Sequence, residues 1–270
     1  MKREIAIIGM VVCIAVGFVI GWFIPGLFAP APGPTAVERI QAANELIVGT
    51  DAPWPPFELY NTTTDEWDGF DVELSQMIAD ELGVTLTMTN IAFDNLISAC
   101  KAGTIDMIAA AMMVTPSRAE ELAHSVPYIR VNEVVIGKST STINITSLDD
   151  LADHFVGVQS GTTQYYTLSD PVADGGLGLT EDVDFKAYPK ADTLLLDLNN
   201  EVIDAAFIDE PVYSVWAEVY DFKVLYTVPA EPTALWCRWE EPELMEVINK
   251  VILEAFGDGT MDELIETWFE

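Results

Sequence analysis

Residues 101–129, KAGTIDMIAAAMMVTPSRAEELAHSVPYI, carry the succession of strand and helix from which the fold can be inferred. Residues 105–109 are mostly apolar and follow a glycine–threonine pair, which predicts a short buried strand. Thr115 has a side chain that is preferred at a helix N-cap, and Pro116 suits the first helical position. Residues 117–122 continue as a predicted helix, so the stretch indicates a strand that leads into a helix.

Arg118 falls in the first turn of this predicted helix. A cation at that position opposes the helix dipole, by a few tenths to about 1 kcal/mol. An arginine at this unfavourable position is explained if its guanidinium and the free N–H groups at the helix start together bind one anion, a carboxylate or a phosphate. A solvated arginine at the edge of a loop is the alternative that this stretch alone leaves open.

The composition excludes several classes of function. The chain has 270 residues, half of them hydrophobic, which is enough for one large domain or two small ones. Its formal net charge of −32 argues against a nucleic-acid partner and against binding of the folded part to anionic lipid. No metal-ligand spacing, nucleophile–histidine arrangement or P-loop motif stands out, so we expect no metal and no cofactor.

The N-terminal segment is predicted to anchor the chain in a membrane. Residues 1–4 include Lys2 and Arg3, and residues 5–29 are 25 apolar or small residues, close to the roughly 20 that span a bilayer. The two cations predict a cytoplasmic tip and a folded domain that is extracellular or periplasmic. A cleaved signal peptide is the alternative, although Pro30 makes a poor cleavage site. Residues 30–43 are predicted as a proline- and alanine-rich linker.

The cysteines do not form an obvious disulfide framework, because there are three of them. Cys13 lies in the apolar run. Cys100 and Cys237 are expected to be buried free thiols, although a disulfide between them stays open until their geometry is known.

Strand and helix signals alternate after the linker. The pattern predicts strands at 45–50, 84–90, 131–137, 155–158, 183–187, 202–208, 223–227 and 234–237. It predicts helices at 71–82, 95–102, 148–152, 191–198, 209–216, 242–256 and 261–269, and a further helix that opens at 161–163. Alternation at this spacing indicates βαβ units and a mostly parallel α/β sheet. The units form two cycles with polar residues at the carboxyl ends of their strands, where ligands bind in open α/β sheets. Two such sheets that face each other would enclose a cleft.

At this point the chain resembles the polar amino-acid group, family 3, of the type II periplasmic solute-binding proteins, which serve ABC importers. The resemblance covers residues 44–270. It rests on motifs in family order and spacing, namely GTDAPWPPFE (49–58), DGFDVELSQMIADELG (68–83), GTIDMIAA…TPSRAEE…SVPYI (103–129), GVQSGTT (157–163), AAFIDEPV (205–212) and DGTMDELIETWF (258–269).

The resemblance implies a two-lobed α/β fold of the type II periplasmic-binding-protein class. Residues 44–135 and 230–270 would form lobe one, and residues 136–229 would form lobe two. Two crossing strands near 132–138 and 226–230 would form the hinge about which such proteins close on a ligand.

The resemblance also implies a ligand site in the cleft. Matched by motif, Arg118 takes the place that grips an α-carboxylate, and Asp209 takes the place that binds an α-amino group. A zwitterion needs such a forked donor and such an acceptor. The other implied positions are the aromatic residues Trp54 and Phe93, the lobe-two turn with Thr162 and Thr163, and the ligand-dependent positions Asp51 and Gln159.

The chain departs from the family pattern just before the arginine. The family usually has small or hydroxyl residues there, whereas residues 110–113 are Ala-Ala-Met-Met. One side-chain donor to a ligand carboxylate is therefore missing near Ala111, and Met113 is expected to project into the pocket. A bulkier apolar wall would select a particular side chain or a smaller ligand, while Asp51 and Asp209 keep a cationic ligand open.

These observations predict a membrane-tethered receptor, not an enzyme, that binds an amino acid or a similar small polar solute. It would present the solute to the permease of an ABC importer. The same scaffold carries prephenate and arogenate dehydratases, in which a cleft carboxylate is the general acid, and Glu210 or Asp51 could take that role. A sensory ectodomain that acts with a separate partner is the third alternative.

Overall fold

The computed structural model describes residues 33–169, 179 and 182–270. The predicted cytoplasmic tip and anchor, residues 1–29, lie outside these residues, as do the first residues of the predicted linker. Within the described ranges, no helix is both long enough and apolar enough to cross a membrane.

The described fold begins with a helix that the sequence analysis missed. Helix α1 (Ala36–Ala43) starts after Thr35, whose side chain accepts a hydrogen bond from the Glu38 N–H. The Glu38 carboxylate accepts one in return from the Thr35 N–H, which completes a capping box. Ala36 and Ile40 are buried one helical turn apart. The linker prediction was therefore wrong for residues 36–43, because the cap and the buried face outweigh an alanine-rich composition.

Lobe one consists of a five-stranded sheet, a hairpin and the helices that pack on them. In chain order its first part contains β1 (Glu45–Thr50), β2 (Leu59–Asn61), β3 (Glu66–Asp68), α2 (Phe70–Leu82), β4 (Thr85–Asn90), α3 (Leu96–Lys101), β5 (Met107–Ile108), α4 (Pro116–Glu121) and β6 (Ala123–His124). The chain returns to this lobe at its end with β12 (Trp236–Cys237), α8 (Pro242–Asp258) and α9 (Thr260–Phe269). The hairpin of β2 and β3 was not predicted.

Lobe two contains a second five-stranded sheet. Its elements are β7 (Glu133–Lys138), β8 (Val156–Gln159), α5 (Thr163–Ser169), β9 (Phe185–Tyr188), α6 (Ala191–Asn199), β10 (Ala205–Asp209), α7 (Glu210–Trp216) and β11 (Phe222–Val228). The sequence predicted each of these strands and helices in its order, with bounds that differ by a few residues. The predicted mostly parallel sheet is thus present as two separate sheets, in each of which half of the strand pairs are antiparallel.

Each sheet is parallel on one side and antiparallel on the other. The strand order is β4-β1-β5-β12-β6 in lobe one and β11-β7-β10-β8-β9 in lobe two. Strands β4, β1 and β5 are parallel, as are β10, β8 and β9. The antiparallel strands are β12 and β6 in the first sheet and β7 and β11 in the second. The parallel strands of each sheet therefore end at one edge, where their following loops meet.

The two crossings between the lobes are hydrogen-bonded to each other. The Thr233 N–H donates to the Ile129 carbonyl at 2.8 Å, and the Arg130 guanidinium donates to the Ala230 carbonyl at 3.2 Å. Strand β7 belongs to the second sheet from Glu133 onward. The first crossing thus precedes residue 133, a few residues before the predicted boundary at 135.

Cys100 and Cys237 are both buried and are not joined by a disulfide, as expected. Burial raises the pKa of each thiol to about 12. Both side chains therefore act as small apolar core residues.

Gly69 holds the loop after β1 against the start of α2. Its φ is +130°, and a Cβ atom at this position would lie 2.3 Å from the Phe57 carbonyl oxygen. The same carbonyl accepts a hydrogen bond from the Asp71 N–H at 2.9 Å, and the Phe70 N–H donates to the Pro56 carbonyl at 3.0 Å. The loop that carries Asp51 and Trp54 is thereby bonded to the start of α2, and residue 69 between them has no room for a side chain.

We expect Gly69→Ala to lower the free energy of unfolding by about 2–4 kcal/mol, because the change adds backbone strain and a clash with backbone atoms. Gly83→Ala is the matched control. Gly83 also has a positive φ, +71°, but a Cβ there would meet nothing within 4 Å, so its loss should be about 1 kcal/mol. Urea unfolding of the two variants measures the difference. Equal losses would show that the close approach at Phe57 does not matter.

Candidate functional site

A small cavity lies between the two sheet edges at which the parallel strands end. Strands β1 and β5 approach it from lobe one, and β8 and β10 approach it from lobe two. The cavity is lined by Trp54, Phe93, Ala110, Ala111, Met113, Arg118, Gln159, Thr162, Thr163, Gln164 and Asp209. The structure therefore brings nine of the ten predicted site residues together around one space. The tenth, Asp51, does not line the cavity.

Arg118 is buried at the wall of this cavity, with 5% of its surface exposed. Helix α4 begins as predicted, with Pro116 at its start and the Thr115 hydroxyl accepting from the Arg118 N–H at 3.3 Å. The guanidinium donates to the Met113 carbonyl at 2.7 Å and, across the cleft, to the Gly161 carbonyl at 3.0 Å. It also lies 5.4 Å from the centroid of the Phe93 ring. The alternative of a solvated arginine is therefore wrong.

Asp209 lies at the carboxyl end of β10 and is also buried. One carboxylate oxygen accepts from the Trp54 indole N–H of lobe one at 3.0 Å, and the other accepts from the Gln164 amide at 2.7 Å. Burial raises the pKa of Asp209 to about 6, although these hydrogen bonds and the Arg118 charge act in the opposite direction. Near pH 7 the cavity thus contains a guanidinium from one lobe and a carboxylate from the other.

The turn between β8 and α5 is the point at which lobe two closely approaches lobe one. Gly161 has a φ of +78°, and a Cβ there would lie 2.9 Å from the Asp94 Cα atom. The Thr162 hydroxyl donates to the Gln159 carbonyl at 2.7 Å and accepts from the Tyr165 N–H at 3.2 Å. Thr162 therefore caps the turn, while the hydroxyl of its neighbour Thr163 is bonded to Glu133.

Glu133 is a buried carboxyl group behind Thr163 that the sequence analysis did not single out. It is the first residue of β7 and pairs with Asp209 of β10. The Thr163 hydroxyl is hydrogen-bonded to Glu133 and lies 3.4 Å from the Met113 sulfur. Burial, and then the Asp209 charge, raise the pKa of Glu133 to about 8, against smaller opposite effects of Thr163 and Arg118. An acidic residue that starts an otherwise apolar strand was the available signal.

Asp51 follows β1 but is covered from the cavity. Its Oδ2 accepts from the Phe93 N–H at 3.1 Å and from the Gln159 amide, and its Oδ1 accepts from the Lys190 ammonium. Burial raises the pKa of Asp51 more than the paired Lys190 and these donors lower it. The prediction placed Asp51 in the ligand site, whereas the structure places two lobe-two side chains over it.

The apolar wall before Arg118 lies where the departure from the family pattern was noted. Ala111 has a φ of +48°, and its N–H donates to the buried Asp71 carboxylate at 2.8 Å. Burial raises the pKa of Asp71 to about 6. Both Ala111 and Met113 line the cavity, which agrees with the expected position of Met113. The wall is thus held from behind by a buried carboxylate that accepts from the backbone of Ala111.

The cavity is small in this closed arrangement. Ten of its eleven lining residues are buried. Its lining combines a guanidinium, a carboxylate, two amides, two hydroxyls and two aromatic rings. In the described part of the chain, no group of three or more His, Cys, Asp or Glu side chains could hold a metal ion. This set of groups suits a small zwitterion once the lobes move apart.

Ala110, Gln164, Glu133 and Lys190 are the residues at or next to the cavity that sequence reasoning missed. Gln164 directly follows the predicted Thr163 and could have been found by extending the motif one residue. Lys190 follows β9, which is parallel to β8 and ends beside it. The rule that ligands bind at the carboxyl ends of parallel strands could have found it.

Comparisons with known proteins give a consistent result. Residues 46–270 match the family described as bacterial extracellular solute-binding proteins, family 3. The chain is 29% identical over 238 residues to the putative ABC transporter arginine-binding protein 2 of Escherichia coli (strain K12), with 85% of this chain and 92% of the relative covered.

Two solved structures show the same fold. A mutant of ArgBP from T. maritima has a TM-score of 0.80 and 29% identity, and the match covers 87% of this chain and 99% of that one. The ancestral amino acid-binding protein AncCDT-1, a precursor of cyclohexadienyl dehydratase, has a TM-score of 0.77 and 27% identity, with 88% and 100% covered. The resemblance inferred from the sequence motifs is confirmed, and the chain belongs to the bacterial extracellular solute-binding proteins of family 3.

Proposed function

We propose that this protein is a receptor that closes on an amino acid, or on a small polar solute with the same zwitterionic chemistry, and delivers it to an ABC importer. One observation carries the proposal. Arg118 of lobe one and Asp209 of lobe two are both buried, and both line one small cavity. A buried guanidinium and a buried carboxylate on opposite sides of a cleft complement the two charges of an amino acid.

The carboxylate end of the ligand would lie at Arg118. The Met113 and Gly161 carbonyls and the Phe93 ring hold the guanidinium in one orientation, which reduces the conformational freedom that binding would otherwise remove. Thr163 supplies a hydroxyl on the opposite wall. The first backbone N–H groups of a helix have no acceptor within the helix. In α5 these N–H groups are on Thr163 and Gln164, which both line the cavity, so they can donate to a ligand carboxylate.

The ammonium end of the ligand would lie at Asp209. Its two oxygens accept from Trp54 and Gln164, and a carboxylate offers about four lone-pair positions, so an ammonium can still be accepted. A pKa of about 6 leaves the group mainly ionised at pH 7. The ammonium would lower that pKa further, because an opposite charge favours the ionised form.

Entry of a ligand requires the lobes to open, because most residues that line the cavity are buried and hydrogen bonds between the lobes close over it. Opening would separate the Trp54–Asp209 and Arg118–Gly161 hydrogen bonds, whose partners are on different lobes. The bonded crossings at Ile129–Thr233 and Arg130–Ala230 are the proposed hinge. A ligand would then stabilise the closed state by bridging groups that come from both lobes.

A binding role fits the site better than the dehydratase alternative. Neither of the carboxylates considered as a general acid lines the cavity: Glu210 accepts from Asn132 at 2.8 Å in an exposed position, and Asp51 is covered by Lys190. We therefore propose that the protein is not an enzyme. Incubation with prephenate and detection of phenylpyruvate tests this alternative.

The proposal includes the predicted location of the receptor. The apolar run at residues 5–29 would hold the chain in the membrane, with the folded part extracellular or periplasmic beside the permease. Fractionation of cells that express the full chain, followed by N-terminal sequencing of the product, distinguishes a retained anchor from a cleaved signal peptide.

Glu133 would tune the carboxylate end of the site through Thr163. A protonated Glu133 can donate to the Thr163 oxygen, which leaves the Thr163 hydroxyl hydrogen for a ligand carboxylate. An ionised Glu133 takes that hydrogen for itself and adds a negative charge next to the carboxylate site. The charged groups that face Glu133 are Asp209 and Arg118, and a pKa of about 8 keeps Glu133 mainly protonated at pH 7.

The first prediction concerns the charged pair. A ligand at 100 times its dissociation constant should add about 2.7 kcal/mol to the free energy of unfolding, measurable as a thermal shift of the full chain. Asp209→Asn should weaken binding of the amino acid that gives this thermal shift by at least about tenfold, since a charge-assisted hydrogen bond is lost. Asp197→Asn, which changes a partly exposed lobe-two carboxylate that is paired with Lys186 and does not line the cavity, should leave affinity unchanged. An unchanged affinity in Asp209→Asn would contradict the proposed role.

The second prediction concerns pH. Affinity should be highest near pH 7, where Asp209 is mainly ionised and Glu133 is mainly protonated, and should fall as the pH rises through about 8, where Glu133 loses its proton. Glu133→Gln should remove this fall, because its amide donates to Thr163 at every pH. Isothermal titration at pH 7 and 8.5 measures the effect, with the exposed Glu121→Gln as the control. A fall of equal size in Glu133→Gln and in the wild type would exclude this role of Glu133.

Glu133→Gln should also change the free energy of unfolding, in a direction that follows from the raised pKa of Glu133. The folded pKa of Glu133 is raised from 4.5 to about 8, so the folded chain keeps a proton that the unfolded chain releases. Stability that depends on this proton is present below about pH 4.5 and is lost as the pH rises through 8. Glu133→Gln should therefore gain stability relative to the wild type between pH 5 and 8.5, as measured by thermal unfolding.

A further inference from the structure

Lys190 of lobe two reaches across the cleft to three acceptors in lobe one. Its ammonium donates to Asp51 Oδ1, to the Ala52 carbonyl at 3.1 Å and to Asn90 Oδ1 at 2.8 Å. Asp51 and Asn90 stand at the carboxyl ends of the neighbouring strands β1 and β4. Lys190 therefore meets the edge of the first sheet at the point where its parallel strands end.

The second oxygen of Asp51 is also occupied. It accepts from the Phe93 N–H and from the amide of Gln159, which itself lines the cavity. The Asp51 side chain is 2% exposed. Two side chains of lobe two thus cover this carboxylate, and it does not line the cavity.

The other carboxyl groups near the cavity are hydrogen-bonded or have a pKa that burial raises. Asp209 is assigned to the ligand ammonium, and Glu133 is bonded to Thr163. Asp71 accepts from the Ala111 N–H behind the wall, and burial raises the pKa of Glu58 well above its usual range. A cationic ligand side chain that entered near Gln159 would find Asp51 already paired with the Lys190 ammonium.

We propose that Lys190 sets the charge class of the ligand: by pairing with Asp51 it makes that end of the cleft neutral, so that the site takes an amino acid with a neutral polar side chain and discriminates against a cationic one. The proposal rests on the proposed function and narrows it. The Gln159 amide and the rings of Trp54 and Phe93 would contact the neutral side chain. The inference differs from the arginine ligand for which the compared relative is named.

The test is a ratio of affinities, because a latch between the lobes and a selector of charge predict different ratios. The full chain is titrated calorimetrically with L-glutamine and L-asparagine as neutral probes, and with L-arginine and L-lysine as cationic probes. Lys190→Met keeps most of the side-chain length and removes the charge. If Lys190 were only a latch, its loss would weaken all four probes by the same factor. If it selects charge, the ratio changes.

The expected result is that the wild type binds the best neutral probe at least tenfold more tightly than either cationic probe. Lys190→Met should shift this ratio at least tenfold toward the cationic probes, because Asp51 then lacks its cation. Lys186→Met is the matched control, since Lys186 is exposed and paired with Asp197 on the same lobe. It should leave the ratio unchanged.

A double variant guards against misfolding of the single one. Asp51→Asn with Lys190→Met leaves no unpaired charge at this place, and it should return the ratio close to the wild-type value. A wild type that binds a cationic probe as tightly as a neutral one overturns the charge inference alone. So does a ratio that Lys190→Met does not change. If no amino acid binds to the wild type, the proposed function fails, and this inference fails with it.

Discussion

A carboxylate that is removed from water needs a partner, and in this protein the partners of two cleft carboxylates come from the opposite lobe. Asp51 of lobe one accepts from Gln159 and Lys190 of lobe two. Asp209 of lobe two accepts from the Trp54 indole of lobe one. The same hydrogen bonds therefore hold the lobes closed and supply the buried carboxylates with partners.

This constraint connects the architecture with the chemistry of the cleft. Parallel strands end at one edge of each sheet, so the loops after β1, β5, β8, β9 and β10 bring their polar groups to a common space. The crossings near Ile129 and Thr233 hold the two edges opposite each other. A solute that replaces the cross-lobe contacts with its own would stabilise closure, and one that leaves a buried charge unpaired would oppose it. Selectivity and closure thus depend on the same few groups.

The motifs predicted a good deal of this arrangement because their signals are local. A strand followed by Thr115, Pro116 and a helix predicts where Arg118 stands, and the short turn before Thr163 predicts a second cluster at a strand end. Nine of the ten candidate residues line the cavity for this reason. Local signals were also missed: the capping box at Thr35 marks α1, although the surrounding alanines and prolines resemble a linker.

The sequence by itself determined the order of strands and helices through periodicity and caps, and the family through motif spacing. The resemblance to that family then implied an arginine and an opposed carboxylate in the cleft. Only the tertiary structure decided which carboxyl groups face the cavity. Asp51 matches a ligand position in its motif, yet Lys190, 139 residues later in the chain, lies over it. Glu133 begins an apolar strand, yet pairing with β10 places it next to Asp209. The physical reason is that the state of a charge depends on its neighbours in space, and those neighbours come from the other lobe.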